Sequence, residues 1–435
     1  MPKPIICLAE WLCQALETYE SLFTTTQWRC LVTVVLGMVE TEGRRTLKAL
    51  SSQVADKIGD WNLSRFLREM TWSPRLLMAN WYEQFVKQIE PVVQREKQQR
   101  QRALSAQRGR RIRVTSVTGY LIIDDSTHEK PYAEAMGGLG THWSGVAKET
   151  VQGHSMLAAF YVLLGHRVPV SLQMYRQKAV CEQEGEPFVS KIDLAVGRLL
   201  AFDGPTGTHT HVLVDSWFMN KRVWRVARDR GFALSGGLKA NRFIRQCLAD
   251  GTKSWQALSN YAAQLAPEDF EPLHWPNQEG GRTVYGHRLH TRVRKLGPCQ
   301  VLITRTDPAD PQTTRYWCSN QTHLSPQALV EHLAVRWTIE AFFADMKELL
   351  GSDHYQVHSA QAILRFWTLA AFVFYLLDLR RLEVQHAELD AHITLGSIRR
   401  DFQAEHRRRL LRWLRQQALL EMDVEALYPK FVQAA

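Results

Sequence analysis

Two short apolar segments, each ending in a carboxylate, constrain the fold of this chain most. Residues 120–123 (YLII) are followed directly by Asp124 and Asp125, and residues 211–214 (HVLV) are followed by Asp215. Short runs of β-branched and aromatic residues are typical of strands. The sequence therefore predicts two buried strands, each with acidic side chains where its apolar run ends.

The pattern after the second strand alternates between helix and strand. Residues 220–230 have a helical pattern and residues 232–238 that of another strand. This alternation predicts an α/β core, and ligands of such sheets bind beyond the carboxyl ends of the strands. Residues 251–325 contain prolines, a Gly-Gly pair and alternating apolar runs, which predict a β-rich insertion. From residue 326 onward the pattern is helical.

The N-terminal part of the chain is expected to be helical. Over residues 1–93 apolar side chains recur at intervals of three and four, and Ser73 followed by Pro74 is a helix start signal. Within it, the basic segments 43–48 and 64–68 could be helix ends that contact DNA, although no diagnostic helix-turn-helix motif is present. We leave both interpretations open.

Composition excludes several classes of protein. Of the 435 residues, 45% are hydrophobic, enough for a real core. The longest near-continuous apolar stretch, 366–377, is shorter than the roughly 18 residues that a membrane span needs, so we expect a buried core helix. Glu10 interrupts any secretory segment, and the seven cysteines, an odd number, contain no Cys-x-x-Cys pair. We expect a cytoplasmic protein with reduced cysteines and no membrane partner.

The formal net charge of +10 is concentrated in two blocks. Residues 95–113 contribute +7 and residues 399–415 contribute +5. Such blocks are either solvated faces or contacts to a polyanion, and two of them favour nucleic acid as the partner. The four arginines expected to contact DNA are Arg108, Arg110, Arg111 and Arg113.

A third acidic residue lies on the helix predicted over 326–350. At roughly 100° per residue, Arg336, Glu340 and Lys347 fall within about 40° of one another, which makes one polar stripe. The stripe could be a self-paired solvated face, and each strand-end aspartate could simply cap a turn. Together, however, Asp125, Asp215 and Glu340 would be a minimal cage for hard divalent cations, and two such ions can act on a phosphodiester bond.

The same residues carry a family resemblance. Residues 336–347 (RWTIEAFFADMK) resemble the R-W-x-I-E-x-F-F segment of bacterial insertion-sequence DDE transposases, the group with the Y-x2-R-x3-E-x6-K signature. Residues 124–127 (DDST) are similar to the first-aspartate motif of that family. Residues 214–218 (VDSWF) and 237–242 (GLKANR) are similar to its second-aspartate strand and downstream K-x-N-R. The signature tyrosine is replaced here by Leu333.

This resemblance implies an RNase H-like catalytic core interrupted by the β-rich insertion, with helical N-terminal and C-terminal regions. It implies Asp125, Asp215 and Glu340 as catalytic ligands of two Mg²⁺ ions, for which Mn²⁺ can substitute. We prefer Asp125 to Asp124 because Asp125 begins a D-x-T pattern and Asp124 can point to the opposite face. The implied DNA contacts are Arg336, Lys347, Lys239 and Arg242.

The implied activity is DNA transposition. Such an enzyme binds the terminal inverted repeats of its element on double-stranded DNA, cleaves phosphodiester bonds and joins the 3′-OH ends to a target, as a homodimer formed on DNA in the bacterial nucleoid. Two alternatives remain: an inactive relative that binds DNA, and a carboxylate-pair hydrolase of another substrate. The expected parts are an end-binding domain 1–93, a basic linker 94–113, core segments 114–250 and 326–385, the insertion 251–325, and a basic helical region 386–435.

Overall fold

A computed structural model describes residues 9–53, 58–145, 147–247, 251–277, 280–387, 393–420, 423 and 425. Its α-helices are α1 (Glu10–Glu17), α2 (Thr25–Glu40), α3 (Leu47–Ser52), α4 (Asp60–Arg68), α5 (Pro74–Arg108), α6 (Lys178–Glu184), α7 (Lys191–Ala201), α8 (Lys221–Asp229), α9 (Leu258–Ala262), α10 (Pro326–Val335), α11 (Trp337–Ala344), α12 (Ala360–Ala387) and α13 (Leu395–Leu419). Short 3₁₀ segments are Glu20–Leu22, Pro267–Asp269 and Pro311–Thr313, and Asp345–Leu349 is a π-helix.

Twelve strands of the described residues form one sheet. They are β1 (Val117–Glu129), β2 (Gly140–Ser144), β3 (Glu149–Leu163), β4 (His166–Tyr175), β5 (Thr208–Val214), β6 (Ala233–Gly237), β7 (Phe243–Cys247), β8 (Lys253–Ala257), β9 (Glu271–Trp275), β10 (Arg282–Val293), β11 (Gly297–Arg305) and β12 (Arg315–Ser319). Their order is β2-β3-β1-β5-β6-β12-β11-β10-β7-β8, with β4 paired to β3 and β9 paired to β10. The pairs β1–β5 and β5–β6 are parallel, and β1–β3 and β3–β4 are antiparallel. The chain is therefore mixed α/β.

The N-terminal helices begin where the sequence predicts. The Ser73 side chain accepts the backbone N–H of Leu76 at 3.3 Å, and Pro74 occupies the first turn of α5. This helix runs without a break to Arg108 and ends at Gly109, whose φ of 61° is left-handed. Most of the expected basic linker 94–113 is therefore the exposed end of a long helix.

The N-terminal helices share their hydrophobic core with the rest of the chain. Trp81 of α5 stacks on Phe372 of α12, with ring centroids 5.7 Å apart, and its indole N–H donates to the Pro169 carbonyl at 2.7 Å. By length and hydropathy α12 could cross a membrane, but 89% of its most apolar window is buried in the protein. The prediction of a core helix over 366–377 is confirmed.

Strand β1 is longer than its apolar run indicates. Asp124 and Asp125 do not end the strand, because pairing with β3 continues to Glu129, opposite Gly153. The parallel pairing with β5 does stop at Ile123, opposite Val214. The two aspartates therefore lie where one neighbouring strand ends and the other continues.

The β-rich segment extends the core sheet. Its strands run from Phe243 to Ser319, so it begins before the expected boundary at 251, and β12 pairs with β6 in the core. At the core end of this junction, a Cβ on Gly236 would lie 2.1 Å from the Val214 carbonyl oxygen. Only glycine allows β5 and β6 to approach this closely.

The basic C-terminal region is helical where described, and its first turns pack on α2. The Arg399 guanidinium donates to the carbonyl oxygens of Val39 and Thr41, each at 2.7 Å. Part of the C-terminal positive charge is therefore used inside the fold. Residues 388–392, 421, 422, 424 and 426–435 of the expected region 386–435 lie outside the described residues.

Candidate active site

The two aspartates of β1 make different contacts. Asp124 Oδ2 lies 2.8 Å from Arg336 Nη1, whereas Asp125 Oδ2 lies 2.7 Å from Lys191 Nζ and accepts a hydrogen bond from Ser155 Oγ at 3.3 Å. Adjacent residues of a strand point to opposite faces, so each carboxylate meets a cation from a different layer of the fold. Arg336 immediately precedes α11, and Lys191 begins α7.

Asp215 follows β5 directly and is held by the turn that begins there. Its Oδ1 accepts the backbone N–H groups of Trp217 and Phe218 at 2.9 and 3.0 Å. Because Ile123 and Val214 are paired in parallel, the next residue of each strand, Asp124 and Asp215, lies at the same edge. Burial raises the pKa of Asp215, and the two N–H donors partly offset this.

Glu340 joins the site through Arg336. Arg336 Nη1 lies 3.2 Å from Glu340 Oε1 as well as 2.8 Å from Asp124, so one guanidinium nitrogen links both carboxylates. The side chains of Arg336 and Asp124 are 17% and 13% exposed, and that of Glu340 is 39% exposed. In this structure Arg336 neutralises acids and does not face solvent as a free phosphate ligand.

The protonation of Asp124 reflects this crowding. Burial, followed by the charge of Asp215, raises its pKa to about 8, Arg336 opposes the shift, and Glu340 adds to it. A carboxyl group that retains its proton near neutral pH marks a position where negative charge exceeds the available compensation. A cation bound here would relieve that imbalance.

The structure corrects the sequence expectation for the first aspartate. Asp124, not Asp125, is brought together with Arg336 and Glu340, because α11 packs on the face of β1 to which Asp124 points. Asp125 remains close enough to Asp215 for its charge to raise the pKa of that residue. Its own carboxylate, however, is paired with Lys191.

The expected continuous helix over 326–350 is wrong. The α-helical hydrogen bonding is interrupted at Arg336, and residues Asp345–Leu349 form a π-helix. The ideal angular stripe therefore does not extend to Lys347. Its Nζ donates to the Thr127 carbonyl oxygen of β1 at 2.9 Å, and burial lowers its pKa. Lys347 fastens the Glu340 segment to β1, which differs from the expected solvent-facing DNA contact.

Leu333 also has a structural explanation. It is 3% exposed and packs in a small apolar cluster with side chains of β9, β10, β11 and α10. A buried leucine therefore holds α10 against the inserted strands. No phosphate contact can be made from this position.

The acids fit a hard metal ion in their chemistry but not yet in their arrangement. Carboxylate oxygens from Asp124, Asp215 and Glu340 are the ligands that Mg²⁺ prefers. Within the described residues, no three His, Cys, Asp or Glu side chains are arranged to hold a metal. The Arg336 guanidinium bridges Asp124 and Glu340, so metal binding there would require it to move.

One comparison bears on this geometry. Residues 189–376 match the family described as "Transposase DDE domain". The match covers less than half of the chain and includes Asp215 and Glu340. It begins after β1, so it supports neither Asp124 nor Asp125 over the other.

Two further comparisons add little to this. No curated protein matches the chain. A solved structure, the piggyBac transposase synaptic complex with hairpin DNA, is 10% identical with a TM-score of 0.42, over 98% of this chain and 81% of that chain.

Two predicted DNA contacts lie inside this DDE-matching region, near Asp215. Lys239 is exposed, and its Nζ lies 5.0 Å from the centroid of the Trp217 ring, which is 57% exposed. Arg242 is half-buried, and its Nη2 donates to the Met219 carbonyl at 2.6 Å. Lys239 is thus available to a ligand, whereas Arg242 supports the loop after Asp215.

The arginines of the basic segment lie outside the matching region. All four are exposed, at the end of α5 and in the segment that leads to β1: Arg108, Arg110, Arg111 and Arg113. Their predicted DNA contact stays a prediction.

Sequence reasoning missed two kinds of residue at this site. Lys191 begins α7 without any motif that would link it to Asp125. Trp217 and Trp337 are 57% and 68% exposed beside Asp215 and Arg336. Their proximity to the acidic residues in sequence was a usable signal, because large exposed aromatic side chains are uncommon outside binding surfaces.

Proposed function

We propose that this protein is a DNA transposase. The observation that carries the proposal is the convergence of Asp124, Asp215 and Glu340 from three separate segments, two of them within the region that matches a transposase DDE domain. Three carboxylates around one sheet edge suit phosphodiester chemistry, which needs concentrated negative charge to hold cations.

The strand arrangement supports an RNase H-like catalytic core. Three antiparallel strands, β4, β3 and β1, are followed by the parallel strands β5 and β6. In this proposal the strands from Phe243 to Ser319 are the insertion, and α11 supplies the third acid after it. The finer assignment to the bacterial insertion-sequence group with the Y-x2-R-x3-E-x6-K signature rests on Arg336, Glu340 and Lys347 at the family spacing.

The chain's own residues would act as follows. Asp124, Asp215 and Glu340 would hold two Mg²⁺ ions, with Asp125 as the alternative first ligand. When bound, such ions supply an activated oxygen nucleophile and stabilise the leaving oxygen. Arg336 would release the carboxylates as the metals enter, which frees its guanidinium for a DNA phosphate. The Trp217 and Phe218 N–H groups would keep Asp215 oriented throughout.

The proposed substrate is double-stranded DNA at the ends of the protein's own mobile element. Terminal inverted repeats would be bound by the N-terminal helices and by Arg108, Arg110, Arg111 and Arg113, with Lys239 near the cleaved strand. Joining two ends requires two sites, so we propose a homodimer formed on DNA. Such a protein would act in the cytoplasm, at the nucleoid of a bacterial cell.

Cleavage of end-containing DNA tests this proposal. The wild-type protein should nick a duplex carrying the element's terminal repeat in Mg²⁺ or Mn²⁺, and chelation of the metal should stop the reaction. Asp215→Asn and Glu340→Gln should abolish cleavage but retain DNA binding, since they remove charge without changing shape. Asp229→Asn, an exposed acid on α8, is the matched control and should cleave normally. Full cleavage by either site variant would refute the proposed acids, and no cleavage by the wild type would refute the function.

A further inference from the structure

A second polar cleft lies away from the acidic site, between the N-terminal helices and the segment that follows the Glu340 helix. It has a volume of about 600 Å³. One wall consists of α3, α4 and the residues just before α3, and the other consists of residues 355–358 and Phe366. The first wall contains the basic segments 43–48 and 64–68, which the sequence singles out without assigning them a partner.

The charge of this cleft is positive. Arg45, Lys48 and Arg68 line it, against a single acid, Asp60. Lys48 and Arg68 are exposed and their side chains are available to a ligand. Arg45 is 2% exposed and donates to the carbonyl oxygens of Met38 and Gly43, so it contributes charge from within the wall. An excess of cations in a concave surface concentrates field and attracts polyanions.

The two walls are fixed relative to each other at both ends. The backbone N–H of Arg45 donates to His354 Nδ1 at 3.1 Å. At the other end, the buried Arg365 guanidinium donates to the carbonyl oxygens of Leu67 and Trp72 at 2.9 and 2.8 Å. The cleft is therefore formed before any ligand binds, which lowers the entropic cost of binding.

The cleft is also linked to the strand that carries the first aspartates. Lys130, just after β1, donates from its Nζ to the carbonyl oxygen of Tyr355, a cleft residue, at 3.0 Å. Five residues separate Lys130 from Asp125, a distance of about 17 Å at roughly 3.3 Å per strand residue. At roughly 3.4 Å per base pair, this is about five base pairs of duplex.

We propose that this cleft binds backbone phosphates of the DNA duplex whose cleavage occurs at the acidic site, about five base pairs from the cleaved bond. The inference rests on the proposed function and adds a contact that bridges the N-terminal helices and the catalytic core. Lys48 and Arg68 contact the phosphates, and Arg45 holds the first wall in place. Engagement of the N-terminal helices then positions the duplex for the acids.

The test is the salt dependence of DNA affinity for the double variant Lys48→Gln/Arg68→Gln. Each lost phosphate contact reduces the slope of log K against log salt by about 0.9, so the double variant should lose about 1.8. Hydroxyl-radical footprints should lose protection about five base pairs from the nick. The matched control is Lys178→Gln/Arg228→Gln, which removes the same charge from exposed positions on α6 and α8 that are 73% and 65% exposed. The control should keep the wild-type slope and footprint.

Equal slopes for the two double variants would overturn the cleft assignment. The wild-type cleavage assay separates this failure from failure of the proposed function. If the wild type nicks end DNA while the cleft variant binds as the control does, the cleft is wrong and the function stands. If the wild type neither binds nor nicks, both are wrong. Suppression of the wild-type slope by millimolar inorganic phosphate, without loss of footprint, would assign the cleft to a free anion and would also overturn the proposal.

Discussion

The two faces of strand β1 differ although they carry adjacent aspartates. On one face Asp124 is almost buried, shares Arg336 with Glu340, and has a pKa raised to about 8 by burial and by Asp215. On the other face Asp125 has a dedicated partner, Lys191, at 2.7 Å. A carboxylate with its own cation is a satisfied structural group, whereas a crowded carboxylate that shares one guanidinium is poised to accept a metal. The environment, and not the residue type, distinguishes the two.

The largest expected difference between the faces is in catalysis. Asp124→Asn should lower the rate of DNA cleavage by roughly 10⁴-fold, the loss typical of removing one charged member of a catalytic group. Asp125→Asn should retain much more activity, since Asp125 is engaged by Lys191. The measurement is the single-turnover cleavage rate of both variants in Mg²⁺, with Asp229→Asn as control. The reverse order of effects would make Asp125 the first catalytic aspartate.

The second difference concerns the dependence of stability on pH. Burial, first among its causes, raises the pKa of Asp124 from 3.8 to about 8 in the folded state, so the folded protein binds a proton that the unfolded chain has released. Stability from this group is therefore present at low pH and is lost as the pH rises from about 4 to about 8. Asp124→Asn should flatten this decline, and Asp125→Asn should leave it unchanged.

Thermal unfolding between about pH 5 and pH 9 in the absence of divalent metals checks this expectation. The shared contribution of Asp345, whose pKa burial raises to about 6, is present in both variants and cancels. Parallel pH profiles for the two variants would mean that Asp124 does not carry the buried proton.

The smallest expected effect tests how the Asp124 face is held together. Lys347→Met keeps the length of the side chain but removes the hydrogen bond from Nζ to the Thr127 carbonyl. Loss of one such bond should lower the free energy of unfolding by about 1 kcal/mol. Urea denaturation measures the change, and Lys178→Met at an exposed position should be close to neutral. A neutral Lys347→Met variant would mean that the lysine does not fasten α11 to β1.

Local patterns in the sequence were sufficient for much of the fold. The start of α5 follows from Ser73 and Pro74, and the core position of α12 follows from its continuous apolar residues. Strand β5 and the position of Asp215 after it follow from an apolar run of fixed length. In each case the signal and its consequence lie within a few residues of each other.

The rest depends on distant contacts that local patterns do not contain. Whether Asp124 or Asp125 faces Glu340 is decided by the side of β1 on which α11 packs, more than 200 residues later in the chain. The π-helix that carries Lys347 requires a shifted hydrogen-bond register, which no spacing of residues dictates. The basic segments 43–48 and 64–68 were visible, but the wall opposite them, residues 355–358, was not.

The junction between β6 and β12 has a consequence for how the inserted strands can be inherited or lost. Three residue pairs and a hydrogen bond of 2.8 Å between the hydroxyls of Ser235 and Ser319 join the two segments, and His211 Nε2 lies 2.7 Å from Ser235 Oγ. Excising the strands from Phe243 to Ser319 would leave the backbone of β6 as an unpaired edge and strand a buried hydroxyl and imidazole. The insertion is therefore not a detachable module: a shortened chain would aggregate along that edge unless a new strand took the place of β12.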